Sequence, residues 1–301
     1  MEVDTCVVPA AGRGTRFYPL TKAQPKEMLP LVDIPVIHGV VSEAYDSGIR
    51  KFLIVVGRGK DAILDYFDKH PLDDKNGNGI GFEDASIYFT RQREQKGLAD
   101  AVMCARQFTG DRPFLLSLGD TRYIVPRHAA PVPAQLIRRY DELRSPVVAV
   151  EKVRREKIKD YGIIDGRLLR KGVWRIDGLV EKPAPELAPS NIGMTGIYVL
   201  PPQIYDCIDR INPGVNGELQ LTDALRLMLV ERRLYGVEFV GRRYDIGTKE
   251  LWVEAFLDFV KRDKRYREIW ADAMLESVRG DRHLRSLVRK EFQKRGEDVR
   301  A

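Results

Sequence analysis

Residues 5–16 of this 301-residue chain read TCVVPAAGRGTR, an apolar run that passes directly into a loop of small residues. The run Thr5–Ala10 is short and contains β-branched residues, which is typical of a buried strand. The loop from Ala11 to Arg16 begins with small side chains, so its backbone amides can face a bound anion. This stretch therefore predicts a strand with a phosphate-binding loop at its carboxyl end.

Apolar runs and amphipathic segments continue to alternate through the first half of the chain. Further strands are predicted at 51–57, 85–91 and 113–119, and helices at 35–47, 60–69 and 98–108. Such alternation forms βαβ units, which build a mostly parallel sheet with helices on both faces. Because ligands bind these sheets at the carboxyl ends of the strands, we expect the loop after Thr5–Ala10 to contribute to a site.

The pattern changes after Pro146. Turn dipeptides recur at Asp165-Gly166, Lys171-Gly172 and Asp177-Gly178, which predicts antiparallel strands added to the same sheet. A helical apolar stripe follows Gly247, at positions 251, 252, 255, 256, 259 and 260. The predicted fold class is a Rossmann-like α/β fold, in which helices flank a mixed, mostly parallel sheet that carries antiparallel additions and a helical C-terminal tail.

The first loop differs from two common phosphate-binding motifs. A dinucleotide-binding loop needs a third glycine or alanine where this chain has Phe17, and prolines interrupt the helix that should follow, which disfavours a dehydrogenase. A Walker loop would close with Gly-Lys-Ser or Gly-Lys-Thr, which the segment lacks. The loop therefore belongs either to another phosphate-binding design or to an ordinary strand-to-helix turn.

Composition restricts the function classes further. Hydrophobic residues make up 44% of the chain and charged residues 31%, and no apolar run reaches the roughly 20 residues of a membrane helix. Residues 281–301 hold seven basic and four acidic residues, half of the net charge of +6, so the remaining surface suits phosphorylated metabolites better than nucleic acid. Cys6, Cys104 and Cys207 lie far apart, without the spacing of a disulfide framework or a zinc site. We expect a cytoplasmic protein with neither a membrane nor a nucleic-acid partner.

A longer motif extends from Gly12 to Pro35. The loop GRGTR is followed by Lys22 and by PKEMLPLVD at 25–33. This segment closely resembles the signature of bacterial-type UTP–glucose-1-phosphate uridylyltransferases, within the sugar nucleotidyltransferase family. The likeness continues to about residue 260, and its later parts occur in the expected order: Gln92 with 97–99 and 101–102, then 119–120, 181–183 with 189–191, 217–223 and 245–247.

The resemblance implies both an organisation and a reaction. It implies a nucleotidyltransferase domain at 1–262, with a nucleotide half at about 1–150 and a sugar-phosphate half at about 151–262 formed by the antiparallel additions, and a helical tail at 263–301. The implied partners are UTP and glucose 1-phosphate, and the implied cofactor is Mg²⁺. The expected products are UDP-glucose and pyrophosphate, formed by in-line attack on the α-phosphorus.

The resemblance also assigns site residues. The residues with catalytic roles would be Arg16, Lys26 and Lys182, the first two on the triphosphate and the third on the sugar phosphate. The residues at the nucleotide would be Ala11, Gly12, Gly14, Thr15, Gln92, Gly97 and Asp120. The residues at the sugar phosphate would be Gly162, Glu181, Lys182 and Asn191. The residues that hold magnesium would be Asp120 and Asp245.

These residue types suit the chemistry. Attack by a phosphate on a triphosphate joins two groups that repel each other, and fixed cations offset that repulsion. Magnesium needs only one or two carboxylates besides substrate phosphates, and Asp120 and Asp245 supply that number. An amide such as Gln92 can donate to and accept from a pyrimidine edge, so we expect UTP to be preferred over ATP and GTP, with dTTP the closest competitor.

Two other functions stay open on these residues alone. A thymidylyltransferase acting on glucose 1-phosphate would use the same loop, lysines and aspartates, whereas a non-catalytic sugar-nucleotide sensor would have lost Lys26, Lys182 or an aspartate. Two positions depart from the family pattern: Asp100 replaces the commoner His or Gln, and Arg13 replaces a small or apolar residue. The apolar stripe after Gly247 is expected to pack either in a homo-oligomer interface or on its own domain.

Overall fold

The computed structural model describes residues 2–69, 80–214 and 217–287. Its strands are β1 Thr5–Ala10, β2 Pro30–Leu31, β3 Ile34–Pro35, β4 Lys51–Val56, β5 Ser86–Arg91, β6 Phe114–Ser117, β7 Thr121–Ile124, β8 Val147–Lys152, β9 Gly162–Arg170, β10 Val173–Glu181, β11 Ile192–Leu200, β12 Leu234–Glu238 and β13 Arg242–Asp245. Its α-helices are α1 Val36–Tyr45, α2 Asp61–Phe67, α3 Leu98–Met103, α4 Arg106–Thr109, α5 Val132–Leu143, α6 Ile204–Asp209, α7 Leu221–Glu231, α8 Lys249–Arg262 and α9 Arg267–Gly280.

Nine strands form one mixed sheet in the order β5-β4-β1-β6-β11-β8-β12-β10-β9. The first four strands are parallel to one another, and β12 is parallel to β8. Strand β11 runs antiparallel to both β6 and β8, and β10 runs antiparallel to both β12 and β9. The predicted fold class, a mixed sheet with antiparallel additions after Pro146, is confirmed.

The core lies on both faces of this sheet, because side chains alternate along each buried strand. In β1, Cys6 and Val8 pack beneath α1, α2 and α5, whereas Val7 packs on the opposite face with α3, α6 and α7. Within the described ranges, none of the helices combines the length and hydropathy of a bilayer-spanning segment.

The stripe on α8 packs against its own domain. Ala255 is buried, and Trp252, Phe256 and Phe259 pack with it on a small cluster that includes Phe17 and Leu31. This packing is the second of the two expectations for the stripe, so the stripe gives no support to a homo-oligomer, which stays a prediction. The predicted tail contains α9, and its residues 288–301 lie outside the described part of the chain.

The single helix predicted at 98–108 is wrong, because the chain forms α3 and α4 with a sharp turn between them. The backbone N–H of Ala105 donates to the carbonyl of Val102 at 2.9 Å, three residues back instead of four. This tighter turn interrupts the α-helical hydrogen bonds, and the apolar spacing alone did not reveal it.

Two of the three predicted turn dipeptides are also wrong. Lys171-Gly172 joins β9 to β10, but Asp165-Gly166 lies within β9 and Asp177-Gly178 lies within β10. Gly178 pairs with Asp165 beside a register shift, which identifies a β-bulge. A Cβ added at Gly166 would overlap the carbonyl oxygen of Arg175, so glycine permits close strand approach here rather than a turn.

Candidate active site

Two adjoining cavities open at the carboxyl ends of β1 and β6. The first cavity has a volume of about 620 Å³, and Ala11, Gln92 and Gly97 are among its lining residues. The second cavity has a volume of about 480 Å³, and its lining includes Arg16, Gly162, Glu181, Lys182 and Asp245. The residues that line both cavities include Gly12, Gly14, Thr15, Lys26 and Asp120. The structure therefore brings almost all of the predicted site residues to one cleft.

The loop after β1 is held by side chains on two sides. The hydroxyl of Thr21 donates to the carbonyl of Gly14 at 2.8 Å. The side chain of Gln95 donates to the carbonyl of Ala11 and accepts from Nε of Arg13, both at 2.5 Å. Arg13, which departs from the family pattern, thus contacts Gln95, and both residues line the first cavity.

Lys26 lies where the two cavities meet. Its ammonium group forms an ion pair with the carboxylate of Asp120. Burial alone would lower the pKa of Lys26, but Asp120, Glu27 and Asp245 raise it overall. Lys26 is therefore a cation at neutral pH, at the junction of the two cavities.

Asp120 and Asp245 are brought together by the pairing of β7 with β13. Asp245 lies opposite Thr121, and the backbone N–H of Ile246 donates to the carbonyl of Asp120 at 2.9 Å. Burial raises the pKa of Asp245, and the charge of Asp120 raises it further against the opposing effect of Arg243. Burial also acts to raise the pKa of Asp120, but Lys26 outweighs burial and the pKa is lowered.

This pair of carboxylates fits a hard divalent cation. Two neighbouring carboxylates repel each other when both are ionised, and a bound cation removes that cost while using the oxygen ligands it prefers. In the described part of the chain, no group of three or more His, Cys, Asp and Glu side chains is arranged to hold a metal. Asp120 and Asp245 therefore fit a cation that takes its remaining ligands from substrate and water.

Arg243 is a site residue that the sequence reasoning missed. Its Nε donates to Glu151 at 2.7 Å, its Nη2 donates to the hydroxyl of Tyr161 at 2.5 Å, and its Nη1 lies 3.4 Å from the carboxylate of Asp245. The side chain is only 8% exposed and lines the second cavity. The alternation of a strand could have revealed it, because positions 243 and 245 share one face of β13.

The far wall of the second cavity is formed by β10 and the segment before β9. Glu181 accepts a hydrogen bond from the hydroxyl of Thr222 at 2.5 Å. The backbone N–H of Lys182 donates to the carbonyl of Tyr161 at 3.0 Å, and its ammonium group lies 3.2 Å from Glu181. A Cβ at Gly162 would lie 2.4 Å from the terminal methyl of Met194, so a larger residue there would have to displace that side chain. Thr222 and Tyr161 are further residues that the sequence reasoning missed.

Asn191 is the one predicted site residue that the structure does not bring to the cleft. It is exposed immediately before β11, and its backbone carbonyl accepts from the N–H of Val153 at 2.9 Å. Asn191 lines neither of the two cavities. In this conformation Asn191 therefore takes part in strand pairing rather than in the cavity lining.

Comparison with known proteins shows the family to which this chain belongs. The model of the nucleotidyl transferase family matches residues 5–262. The UTP–glucose-1-phosphate uridylyltransferase of Bacillus subtilis is 39% identical over 277 residues, which cover 88% of this chain and 94% of the relative. The protein of that name from Pseudomonas aeruginosa is 39% identical over 264 residues, covering 84% and 94%.

Solved structures agree with these relatives. A crystal structure of UDP-glucose pyrophosphorylase complexed with UDP-glucose superposes with a TM-score of 0.83 at 38% identity, covering 87% of this chain and 100% of the other. The UTP-bound enzyme from Acinetobacter baumannii gives a TM-score of 0.82 at 30% identity, covering 91% and 99%. The sequence, the mixed sheet and the cleft at its carboxyl edge lead to one conclusion: this chain belongs to the nucleotidyl transferase family.

Proposed function

We propose that this chain forms UDP-glucose and pyrophosphate from UTP and glucose 1-phosphate. The names of its relatives and the UDP-glucose complex of a structural neighbour support this pair of substrates. The observation that carries the proposal is that two cavities meet at Lys26 and Asp120. A nucleotidyltransferase must hold two phosphorylated substrates with their phosphates adjacent, and two cavities that share these lining residues support that arrangement.

In the proposed reaction, a phosphate oxygen of glucose 1-phosphate attacks the α-phosphorus of UTP. The bond from that phosphorus to the oxygen bridging the β-phosphate breaks, and pyrophosphate leaves. The first cavity would hold the nucleoside, and the second would hold the sugar phosphate. Lys26 and Arg16 would stabilise the charge that develops on the phosphates, so the chain needs no covalent intermediate.

Mg²⁺ is the proposed cofactor, held by Asp120 and Asp245. When bound, it would neutralise phosphate charge and orient the triphosphate. The chain's own contribution is to keep two carboxylates adjacent and to fix one of them with Arg243, whose Nη1 lies 3.4 Å from Asp245.

Replacing Asp245 by Asn should raise the magnesium concentration needed for half-maximal rate by about tenfold or more, because an amide lacks the negative charge that attracts the cation. Asp120→Asn should act in the same direction. The check is a magnesium titration of the initial rate. The matched control is Asp177→Asn, which breaks only a surface ion pair with Arg175. An unchanged magnesium requirement in both site variants would remove the carboxylates from this role.

Lys182→Ala should chiefly weaken the use of glucose 1-phosphate. Lys182 lies on the wall of the second cavity and its side chain is 39% exposed, so solvent screens its charge in part. We expect a loss of about 30-fold in kcat/KM for the sugar phosphate, roughly 2 kcal/mol, with a smaller change in the KM for UTP. Lys171→Ala, at the exposed turn between β9 and β10, is the control. Unchanged efficiency in Lys182→Ala would refute its assignment.

The general test is a panel of nucleotides. The protein is incubated with Mg²⁺, glucose 1-phosphate and each of five nucleoside triphosphates, and pyrophosphate is measured. UTP should give the highest rate and dTTP the next. A higher rate with dTTP would favour a thymidylyltransferase, and binding without turnover of any nucleotide would favour a non-catalytic sensor.

A further inference from the structure

Gln92 is held in one orientation at the end of β5. Its backbone N–H donates to the carbonyl of Val56 at 2.9 Å, which continues the pairing of β4 with β5, and the residue as a whole is 4% exposed. Its Nε2 lies 2.7 Å from Oδ2 of Asp100 and 3.1 Å from the carbonyl oxygen of Gly97. A carboxylate and a carbonyl only accept hydrogen bonds, so the NH₂ group of Gln92 must face them.

The backbone around Gln92 fixes both acceptors. Gly97 has φ 108°, and a Cβ there would lie 2.6 Å from the carbonyl oxygen of Leu219. The N–H of Leu219 donates to the carbonyl of Lys96 at 2.6 Å, and the N–H of Ala99 donates to the carbonyl of Leu219 at 3.1 Å. Gly97 and the first turn of α3, which carries Asp100, are thus held against the segment before α7.

Both amide hydrogens of Gln92 are therefore used within the protein. Among the described residues, no group donates to its Oε1, and Gln92 lines the first cavity. What remains for a ligand is a pure acceptor. An acceptor pairs with the N3–H of uracil or thymine, whereas N3 of cytosine carries a lone pair and would face oxygen with no proton between them.

We propose that Asp100 is a positioning residue for base selection. By accepting from Nε2 of Gln92, it presents Oε1 alone to the first cavity and so selects bases with an imide N–H over cytosine. This proposal rests on the proposed function, in which the first cavity holds the nucleoside. In this proposal Gln92 only accepts a hydrogen bond from the base, whereas the sequence alone suggested that it both donates and accepts.

The test compares UTP with CTP in the full-length protein. Initial rates of pyrophosphate release are measured with glucose 1-phosphate and Mg²⁺ for the unmodified protein, Asp100→Asn, Asp100→Ala and Asp111→Asn. Asparagine keeps the shape of Asp100 but can present either a donor or an acceptor, so position 100 no longer requires the NH₂ group of Gln92 on its side. We expect the ratio of kcat/KM for UTP to that for CTP to fall at least tenfold in Asp100→Asn and to fall in Asp100→Ala. Asp111→Asn, on the exposed surface, should keep the ratio of the unmodified protein.

A purely structural role for Asp100 would lower the rates with both nucleotides together. Circular dichroism shows which Asp100 variants are folded. If a folded variant kept the unmodified protein's ratio of kcat/KM for UTP to that for CTP, the proposal would be overturned. Calorimetric binding of UTP and CTP to the same proteins separates this inference from the proposed function. Suppose that the unmodified protein binds UTP more tightly than CTP, that Asp100→Asn loses this preference, and that no pyrophosphate is released. That outcome would refute the proposed reaction and support the positioning role of Asp100. Equal binding of UTP and CTP by the unmodified protein would refute the positioning role.

Discussion

Glu27→Met should lower the free energy of unfolding by about 3–5 kcal/mol, because it leaves the ammonium group of Lys60 buried without a partner. Lys60 Nζ lies 2.6 Å from Oε2 of Glu27, and the two side chains are 6% and 2% exposed. Burial raises the pKa of Glu27, and Lys60 and Lys26 offset that rise only in part. The pair itself is therefore expected to add little net stability, whereas breaking it is expensive.

A double-mutant cycle checks this expectation. Urea unfolding is followed by circular dichroism for Glu27→Met, Lys60→Met and the double variant. Each single variant should lose about 3–5 kcal/mol, and the double variant should lose less than either, since methionine fills a similar volume without charge. Arg106→Met, which breaks exposed ion pairs with Asp206 and Asp209, should cost less than about 1 kcal/mol. This expectation would be contradicted if each single variant lost less than about 1 kcal/mol of unfolding free energy. It would also be contradicted if the loss in the double variant equalled the sum of the two single losses.

Lys26→Ala should lower turnover by about 100-fold or more, roughly 3 kcal/mol of transition-state stabilisation. Lys26 is the cation shared by both cavities, and its partner Asp120 is one of the two carboxylates proposed to hold magnesium. The effect should appear mainly in kcat, because charge develops at this junction during transfer. Lys182→Ala should instead appear mainly in the use of glucose 1-phosphate.

Steady-state kinetics on folded variants distinguishes these outcomes. Lys22→Ala is the matched control, since Lys22 is exposed in the same segment and lines neither cavity. Its rate should remain close to that of the unmodified protein. A Lys26→Ala protein that keeps its parent's kcat would show that this lysine does not act in the chemical step.

The central sheet was predictable because its signal is local. Apolar runs of strand length at β1, β4, β5 and β6 alternate with helical spacing, so the βαβ pattern and the cleft at the carboxyl ends followed from the sequence. The errors arose where one local signal has two structural outcomes. Gly166 resembles a turn residue in sequence, but it serves the close approach of two strands at a β-bulge. The break between α3 and α4 leaves the apolar spacing almost unchanged.

The site was predictable only where the motif is contiguous. The roles of Gly12, Lys26 and Asp120 were predicted from short contiguous motifs that resemble those of the family. The contacts that orient them join positions far apart in the chain, and no local pattern encodes such pairs. Glu27 meets Lys60 33 residues away, and Arg243 meets Glu151 92 residues away. Gln92 and Asp100 are closer in sequence. The role of their hydrogen bond in base selection, however, depends on which amide atom of Gln92 faces the cavity, and the sequence does not give that.

The formation of UDP-glucose is tested most directly by ³¹P NMR of the protein incubated with UTP, glucose 1-phosphate and Mg²⁺. The reaction proposed here predicts that UDP-glucose and pyrophosphate appear in equal amounts as both substrates disappear, and that omission of glucose 1-phosphate leaves UTP intact. Release of inorganic phosphate from UTP, or no change in either substrate with folded protein, would contradict it.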